Sequence, residues 1–242
     1  MSEGYPPLEV PKELADGVWV VDAALPGTLE IPIRMTVLRL RDGGLWLHSP
    51  TQHRAALHAA VEALGPIRHL VAPDSVHWLG IGPWQAAVPR ARCWGAPGIV
   101  ARLAKRNDAP RFDAELGPDP PPEWAGEIDH AILTAPGFAE VAFLHRPTRT
   151  LILTDTVQAM EPARLTTAMR FFARLSGSTG KGGAPFYLRW AMRWGGHRTA
   201  NRAVIERLVA WQPERVIFAH GTIFEEDATA RLKQAFAWAL RS

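Results

Sequence analysis

Short apolar runs bounded by Gly, Pro or Asp recur along the chain. Runs of about four to eight such residues predict buried or half-buried strands. Eight segments fit this pattern, at residues 18–22, 35–39, 45–48, 69–72, 128–133, 141–145, 150–154 and 215–219. The residues between the second and third runs are Arg41-Asp42-Gly43-Gly44. They predict a hairpin turn, because glycine adopts positive φ at no steric cost.

Apolar residues recur at helical spacing most clearly over residues 50–64, where Leu57, Val61 and Leu64 fall on one face. Ser49 and Gln52 have the spacing of a capping box, so Ser49 is predicted to cap the start of this helix. Other patterns predict helices at 99–105, 164–175, 199–211 and 227–240. The five prolines between residues 107 and 124 predict an irregular surface loop.

The order of these elements indicates the fold class. Strands with one helix come first, then more strands, then helices, a strand and a final helix. This order favours a layered α/β fold with sheets covered by helices over a repeating βαβ barrel. A chain of 242 residues that is 47% hydrophobic can bury a large core, so residues 1–242 are predicted to form one domain. Within it, 1–17 is an N-terminal extension and 164–198 is a lid or a basic helical insertion.

Composition excludes several classes of protein and site. No run of about 18 uncharged apolar residues occurs, so we expect no membrane span. Residues 1–16 lack the apolar core of a signal peptide. Cys93 is the only cysteine, which excludes an internal disulfide and every cysteine-cluster zinc site. These features favour a reducing, cytoplasmic location.

Three local patterns carry candidate chemistry. They are the loop Pro73-Asp74-Ser75-Val76-His77-Trp78, the segment Pro136-Gly137-Phe138 with the later strand-end Asp155, and the strand-end pair His220-Gly221. Their order and spacing resemble the metallo-β-lactamase superfamily, from about residue 18 to the C-terminus. The resemblance implies a four-layer αββα sandwich with a metal site at the strand ends.

The resemblance also shows which ligands of that superfamily are replaced. The superfamily binds metal through a Thr-His-x-His-x-Asp-His loop, a Pro-Gly-His-Thr segment, a bridging aspartate and a final histidine. Residues of other types hold four of the histidine positions in this chain: Pro73, Ser75, Trp78 and Phe138. The chain therefore departs from the pattern at every histidine of one metal site, and a normal two-metal hydrolase site is not expected.

The remaining candidate ligands belong together. His77 takes the aspartate position of the loop, and Asp155 and His220 match the bridging aspartate and the final histidine. By resemblance these three serve the second metal of the superfamily. Two imidazoles and a carboxylate suit one Zn or Fe ion. Asp74 is a candidate base or extra ligand. The alternative is a relic site that binds no metal.

Tryptophan at a ligand position cannot bind metal, so Trp78 needs another role. One interpretation is that Trp78, Trp84 and Phe138 cap an apolar substrate pocket in the former active site. The alternative is that these aromatic residues pack in the core.

Positive charge is concentrated late in the chain. Residues 164–207 contain nine basic residues and one acid, Glu206. Inside this segment, the run Phe186-Tyr187-Leu188-Arg189-Trp190-Ala191-Met192-Arg193-Trp194 interleaves aromatic residues with arginines. Such a run suits an anionic lipid surface, a phosphorylated ligand or single-stranded nucleic acid. It also suits a lid over the cleft or a packing role, which are the roles we favour, and a nucleic-acid partner is not expected.

Two function classes follow. The first is a hydrolase-like protein with a degenerate one-metal site at His77, Asp155 and His220, acting on a small molecule of anionic character. The second is a non-catalytic protein that binds a ligand in the same cleft, or an anionic partner through the basic segment.

Overall fold

A computed structural model describes residues 5–25, 31–194 and 196–241. In this part of the chain eleven strands form two sheets. The first sheet has seven strands in sequential order: β1 (Lys12–Ala15), β2 (Val18–Ala24), β3 (Pro32–Arg39), β4 (Leu45–His48), β5 (Ile67–Ala72), β6 (Arg92–Gly95) and β7 (Ala114–Glu115). The strands β1 to β4 pair antiparallel, and β4 to β7 pair parallel.

The second sheet has four strands in the order β11-β10-β9-β8. They are β8 (Ile128–Ala135), β9 (Phe138–His145), β10 (Thr150–Ile152) and β11 (Arg215–Ile217). The strands β8, β9 and β10 form an antiparallel meander, and β11 joins β10 in parallel after a long helical crossover.

Eight α-helices of the described residues cover these sheets. They are α1 (Ala55–Glu62), α2 (Ile81–Ala87), α3 (Ile99–Leu103), α4 (Thr167–Ser176), α5 (Phe186–Ala191), α6 (His197–Ala210), α7 (Ala228–Ala235) and α8 (Ala237–Leu240), with a 3-10 turn at Pro162–Arg164. No helix in this part of the chain combines the length and apolarity needed to cross a bilayer.

Three apolar layers hold the sheets and helices together. Leu57 and Trp84 of α1 and α2 pack on the outer face of the first sheet. Trp46 and Phe143 meet between the two sheets, with ring centroids 4.9 Å apart. Ile205 of α6 and the C-terminal helices pack on the outer face of the second sheet. The result is the αββα sandwich that the resemblance implied.

The structure corrects several sequence predictions. Ser49 does not cap α1; the N-cap is Arg54, because the Ser49 hydroxyl is hydrogen-bonded to His77 and the backbone at Ser49 has φ 50°. The helix predicted at 227–240 is divided into α7 and α8. The described part of the predicted N-terminal extension contains β1, which pairs with β2.

Four elements were not predicted at all. Strands β1, β6 and β7 are two to four residues long, too short to show alternation. Helix α2 contains Gly82 and Pro83, which are poor helix formers.

Candidate metal centre

The ends of three strands bring His77, Asp155 and His220 together. These residues follow β5, β10 and β11, and β10 and β11 are parallel neighbours whose carboxyl ends meet at one edge. His220 Nε2 lies 3.2 Å from Asp155 Oδ1, and His77 Nε2 lies 3.6 Å from Asp155 Oδ2. One ligand atom from each residue falls within 4.8 Å of the others. The three side chains can therefore face a single ion.

The other nitrogen of each imidazole has its own partner. His220 Nδ1 donates to the carbonyl oxygen of Pro32 at 2.7 Å, so a neutral His220 presents an unprotonated Nε2 to Asp155. His77 Nδ1 is hydrogen-bonded to the hydroxyl of Ser49 at 2.8 Å. Histidine ligands of metals are typically oriented in this way, through the nitrogen that does not bind the ion.

Glu140 holds the loop that carries Asp155. Its side chain, fully buried on β9, accepts hydrogen bonds from the backbone N–H groups of Thr154, Asp155 and Thr156 and from the Thr156 hydroxyl, at 2.7–2.9 Å. Burial, together with the nearby carboxylates of Asp74 and Asp155, raises the pKa of Glu140 to about 7. Glu140 was missed in the sequence, although a lone acid inside an apolar strand is itself a signal, because a buried carboxylate needs partners.

Asp74 holds the backbone of the loop that carries His77. It is fully buried, and its Oδ1 accepts the backbone N–H groups of Val76 and His77, both at 2.7 Å. Burial raises the pKa of Asp74, and the negative charge of Asp155 adds to this effect. The predicted base or extra ligand is thus placed where it orients the backbone of His77.

The charges of neighbouring side chains, more than burial, set the pKa values of His77 and Asp155. Burial alone would lower the pKa of His77, but the carboxylates of Asp74 and Asp155 raise it to about 9. Burial alone would raise the pKa of Asp155, but His77 and His220 hold it well below its ordinary value. Asp155 is therefore ionised at neutral pH, as a metal ligand must be.

Arg34 anchors the other side of the centre and was also missed in the sequence. Its Nη1 donates to the carbonyl oxygens of Phe218 and Gly221, at 2.9 and 2.8 Å, on either side of His220. Its Nη2 pairs with Asp22 at 2.7 Å, and both side chains are at most 5% exposed. Arg34 thus ties the first sheet to the His220 loop of the second.

A cavity of about 550 Å³ opens beside the three candidate ligands. His77, Asp155 and His220 line it together with Gln158. Ser49, Thr51 and Gln52 also contribute to the lining, and the rest of the wall is mainly apolar, formed by Leu25, Ile31, Ile33, Pro50, Val76, Leu79, Pro83, Met160, Met169 and Phe172, and by Tyr187. A mainly apolar wall with a few polar groups at one end is the usual form of a small-molecule site.

The three aromatic residues predicted to cap this pocket lie elsewhere. Trp84 is fully buried under the first sheet and donates its indole N–H to the Thr51 carbonyl at 2.8 Å. Trp78 packs in the same core, with the Arg106 guanidinium 5.1 Å from its ring. Phe138 packs against the outer core of the second sheet. The aromatic wall comes instead from α4 and α5, within the segment predicted as a lid.

Comparisons with known proteins place the chain in a family and a fold. The model of the family DUF4336, a domain of unknown function, matches residues 15–168, more than half of the chain. No curated protein sequence matches. Among solved structures, a metallo-β-lactamase from Pontibacter korlensis is similar, with 11% identity over 94% of this chain and 98% of that one and a TM-score of 0.61.

Two further structures share the fold. The metallo-β-lactamase FIM-1 from Pseudomonas aeruginosa, in a mono-zinc form, is 13% identical over 96% of each chain, with a TM-score of 0.61. A β-lactamase domain protein from Burkholderia ambifaria is 16% identical over 97% of this chain and 74% of that one, with a TM-score of 0.60. The chain therefore has a metallo-β-lactamase fold.

Proposed function

The chain belongs to the DUF4336 family, and we propose that it is a metal-dependent hydrolase-like protein with a single-ion site. His77, Asp155 and His220 are the proposed ligands. The observation that carries the proposal is that two imidazole Nε2 atoms and a carboxylate converge at one end of a cavity of small-molecule size.

The donor set fits a metal. Two imidazoles and one carboxylate are a workable set for zinc or ferrous iron and leave coordination positions for water or substrate. A metal that binds here must displace the proton that His77, with its pKa raised to about 9, holds at neutral pH. The mono-zinc form of the similar Pseudomonas aeruginosa enzyme supports the idea that this fold accommodates one ion. When bound, such an ion polarises a carbonyl or phosphoryl oxygen and makes a water molecule more acidic.

The chain's own residues orient the candidate ligands and keep water away from the substrate. Ser49 and the Pro32 carbonyl fix the two imidazoles, and Glu140 fixes the Asp155 loop. Gln158 donates to Asp155 Oδ1 at 3.1 Å and leaves the other oxygen, Oδ2, towards His77. The apolar wall excludes water around the substrate and favours an apolar group beside the scissile bond. Esters, lactones and phosphodiesters with such a group are the substrates to screen.

The test is metal analysis of protein purified without chelator. We expect about one zinc or iron per chain in the wild type, and none in a His77→Ala/His220→Ala double variant. His53→Ala is the matched control, because His53 contacts His58 and Trp84 away from the candidate ligands. A wild type that neither contains nor takes up zinc or iron would contradict the proposal.

The second candidate is a non-catalytic protein that binds a ligand in the same cavity. The apolar character of the wall favours it, because such a wall binds apolar groups without any metal. Apolar ligands retained equally by the wild type and the double variant, in protein that lacks metal, would favour this reading.

A further inference from the structure

Exposed apolar side chains gather on one part of the surface. Large hydrophobic residues with 48–72% exposure lie on α4, on α5 and just after it: Phe171, Phe172, Leu175, Phe186, Tyr187, Trp190 and Trp194. Two more exposed residues, Val76 and Leu79, line the cavity together with Phe172 and Tyr187. Single exposed apolar residues are normal, but a contiguous group of this size indicates an interaction surface.

The two helices present these residues on their outer sides. Helix α4 buries Met169 and Ala173 against the protein, and α5 buries Leu188. The guanidinium of Arg189 on α5 lies beside Gly177, which ends α4, so the helices are neighbours. Their outward residues, together with the basic residues Arg174, Lys181 and Arg189 of the same segment, form what we call the aromatic–arginine face.

The charge of this face is one-sided. Residues 162–205 contain eight basic residues and no acid, while the whole chain has a formal charge of only +3, so the rest of the chain is net acidic. Among the described residues, the ion pairs of this segment lie at its ends, from Arg164 to Glu161 and from Arg202 to Glu206. Arginines elsewhere commonly pair with acids, as Arg92 does with Glu123.

Positive charge and exposed apolar side chains on the same face together indicate which kind of partner it fits. A second copy docked through the same face would bring like charges together, and the face has no acid to pair with them. A nucleic acid would match the arginines but offers no apolar phase for the aliphatic Leu175, Val76 and Leu79. The surface of an anionic bilayer matches both features, because it attracts arginines and accepts aromatic and aliphatic side chains at the headgroup level.

We propose that the aromatic–arginine face binds the surface of anionic lipid membranes. Docking in this way would set Phe172 and Tyr187, two exposed residues that line the cavity, against the lipid. The proposal goes beyond the metal site and does not rest on it.

Vesicle co-sedimentation of the full chain tests the proposal. The probe is phosphatidylcholine vesicles with and without about 30% phosphatidylglycerol, at about 0.1 M salt. We expect binding to the anionic vesicles and at least about tenfold weaker binding to the neutral ones. Trp190→Ala/Trp194→Ala removes apolar contact without changing charge, and should weaken binding at least about tenfold. Arg174→Gln/Arg189→Gln should weaken it about 25-fold, at about fivefold per arginine.

A matched control separates this surface from general charge. Arg68→Gln/Arg111→Gln also removes two exposed positive charges, on arginines paired with Asp42 and Asp113, and should bind within about twofold of the wild type. All variants should keep the circular dichroism and metal content of the wild type, because the substituted side chains lie outside the candidate metal centre.

Three outcomes would overturn the proposal. The first is no binding of the wild type to anionic vesicles. The second is equal loss of binding in the Arg68/Arg111 control, or unchanged binding of the Trp190/Trp194 variant, which would indicate non-specific attraction. The third is a stable dimer by light scattering that is lost in the tryptophan variant and does not bind vesicles, which would assign the face to self-association.

Discussion

Arg34 offers the sharpest test of how the two sheets position the candidate centre. The Arg34→Met substitution keeps a side chain of similar length but removes one of the two cationic partners of the buried Asp22. It also removes the donors to the carbonyl oxygens of Phe218 and Gly221, which flank His220. The substitution should therefore affect both the stability of the fold and the placement of His220.

The expected magnitude follows from the contacts. Breaking a buried ion pair by removing one partner costs about 3–5 kcal/mol of unfolding free energy. Asp22 keeps Lys12 as a partner at 2.5 Å, which lowers the cost, while the two carbonyl groups that lose their donor raise it. We expect a loss of about 3 kcal/mol for Arg34→Met.

The assay is urea unfolding, with midpoint and slope both fitted. Arg39→Met is the matched control, because Arg39 lies on the same strand but pairs with Asp16 at the surface, where side chains are 41% and 96% exposed. Exposed pairs contribute about 0–1 kcal/mol. An Arg34→Met variant as stable as Arg39→Met would refute the structural role assigned to Arg34.

Three further predictions concern single residues. Ser49→Ala should weaken metal binding about tenfold in chelator competition, with little change in stability, because His77 loses its orienting hydroxyl. Gly221→Ala should lower the free energy of unfolding by about 3 kcal/mol or more in urea unfolding, because φ at Gly221 is +117° and a Cβ atom there would lie 2.2 Å from the backbone carbon of Ala159. Gly117→Ala is the control and should cost under about 0.5 kcal/mol, because a Cβ atom there would meet no atom within 4 Å. Burial lowers the pKa of His69 to about 4, below the value of about 6.5 in an unfolded chain. As pH falls from 6.5 towards 4, only the unfolded state gains this proton, so the free energy of unfolding should fall by up to about 2 kcal/mol between pH 7 and 5. The fall should be smaller in His69→Gln, and an equal pH dependence in both proteins would contradict this.

The elements predicted correctly from the sequence are those with strong local signals. The eight predicted strands correspond to strands of the structure because each is an apolar run between residues that interrupt strands. The candidate ligands follow the carboxyl ends of three of these strands, β5, β10 and β11. The resemblance therefore identified His77, Asp155 and His220 from their order in the sequence, without any knowledge of the packing.

What the sequence did not reveal depends on contacts between distant residues. Ser49 has the spacing of a helix cap, but its hydroxyl is hydrogen-bonded to His77, 28 positions away. Trp78 in the loop after β5 and Trp84 in α2 lie close to His77 in the sequence, which suggests a pocket, yet their side chains pack in the core under the first sheet. The real aromatic wall uses Phe172 and Tyr187 from another part of the chain. Side-chain direction and long-range pairing leave no periodic trace in a single sequence.

The polar groups around the three candidate ligands argue for a positioning role. Ser49, Glu140 and Arg34 come from three different strands or strand ends, and each contacts a different ligand or its loop. Buried charged groups contribute little stability compared with well-packed apolar residues of similar volume. The free-energy cost of burying these polar groups is therefore not offset by a more stable fold. This cost is offset if His77, Asp155 and His220 must keep a fixed geometry to bind a metal, because a metal site loses affinity when its ligands are no longer held in orientation. Arg34 and Glu140 also hold the fold together, but a relic site would not need the contact of Ser49 with His77.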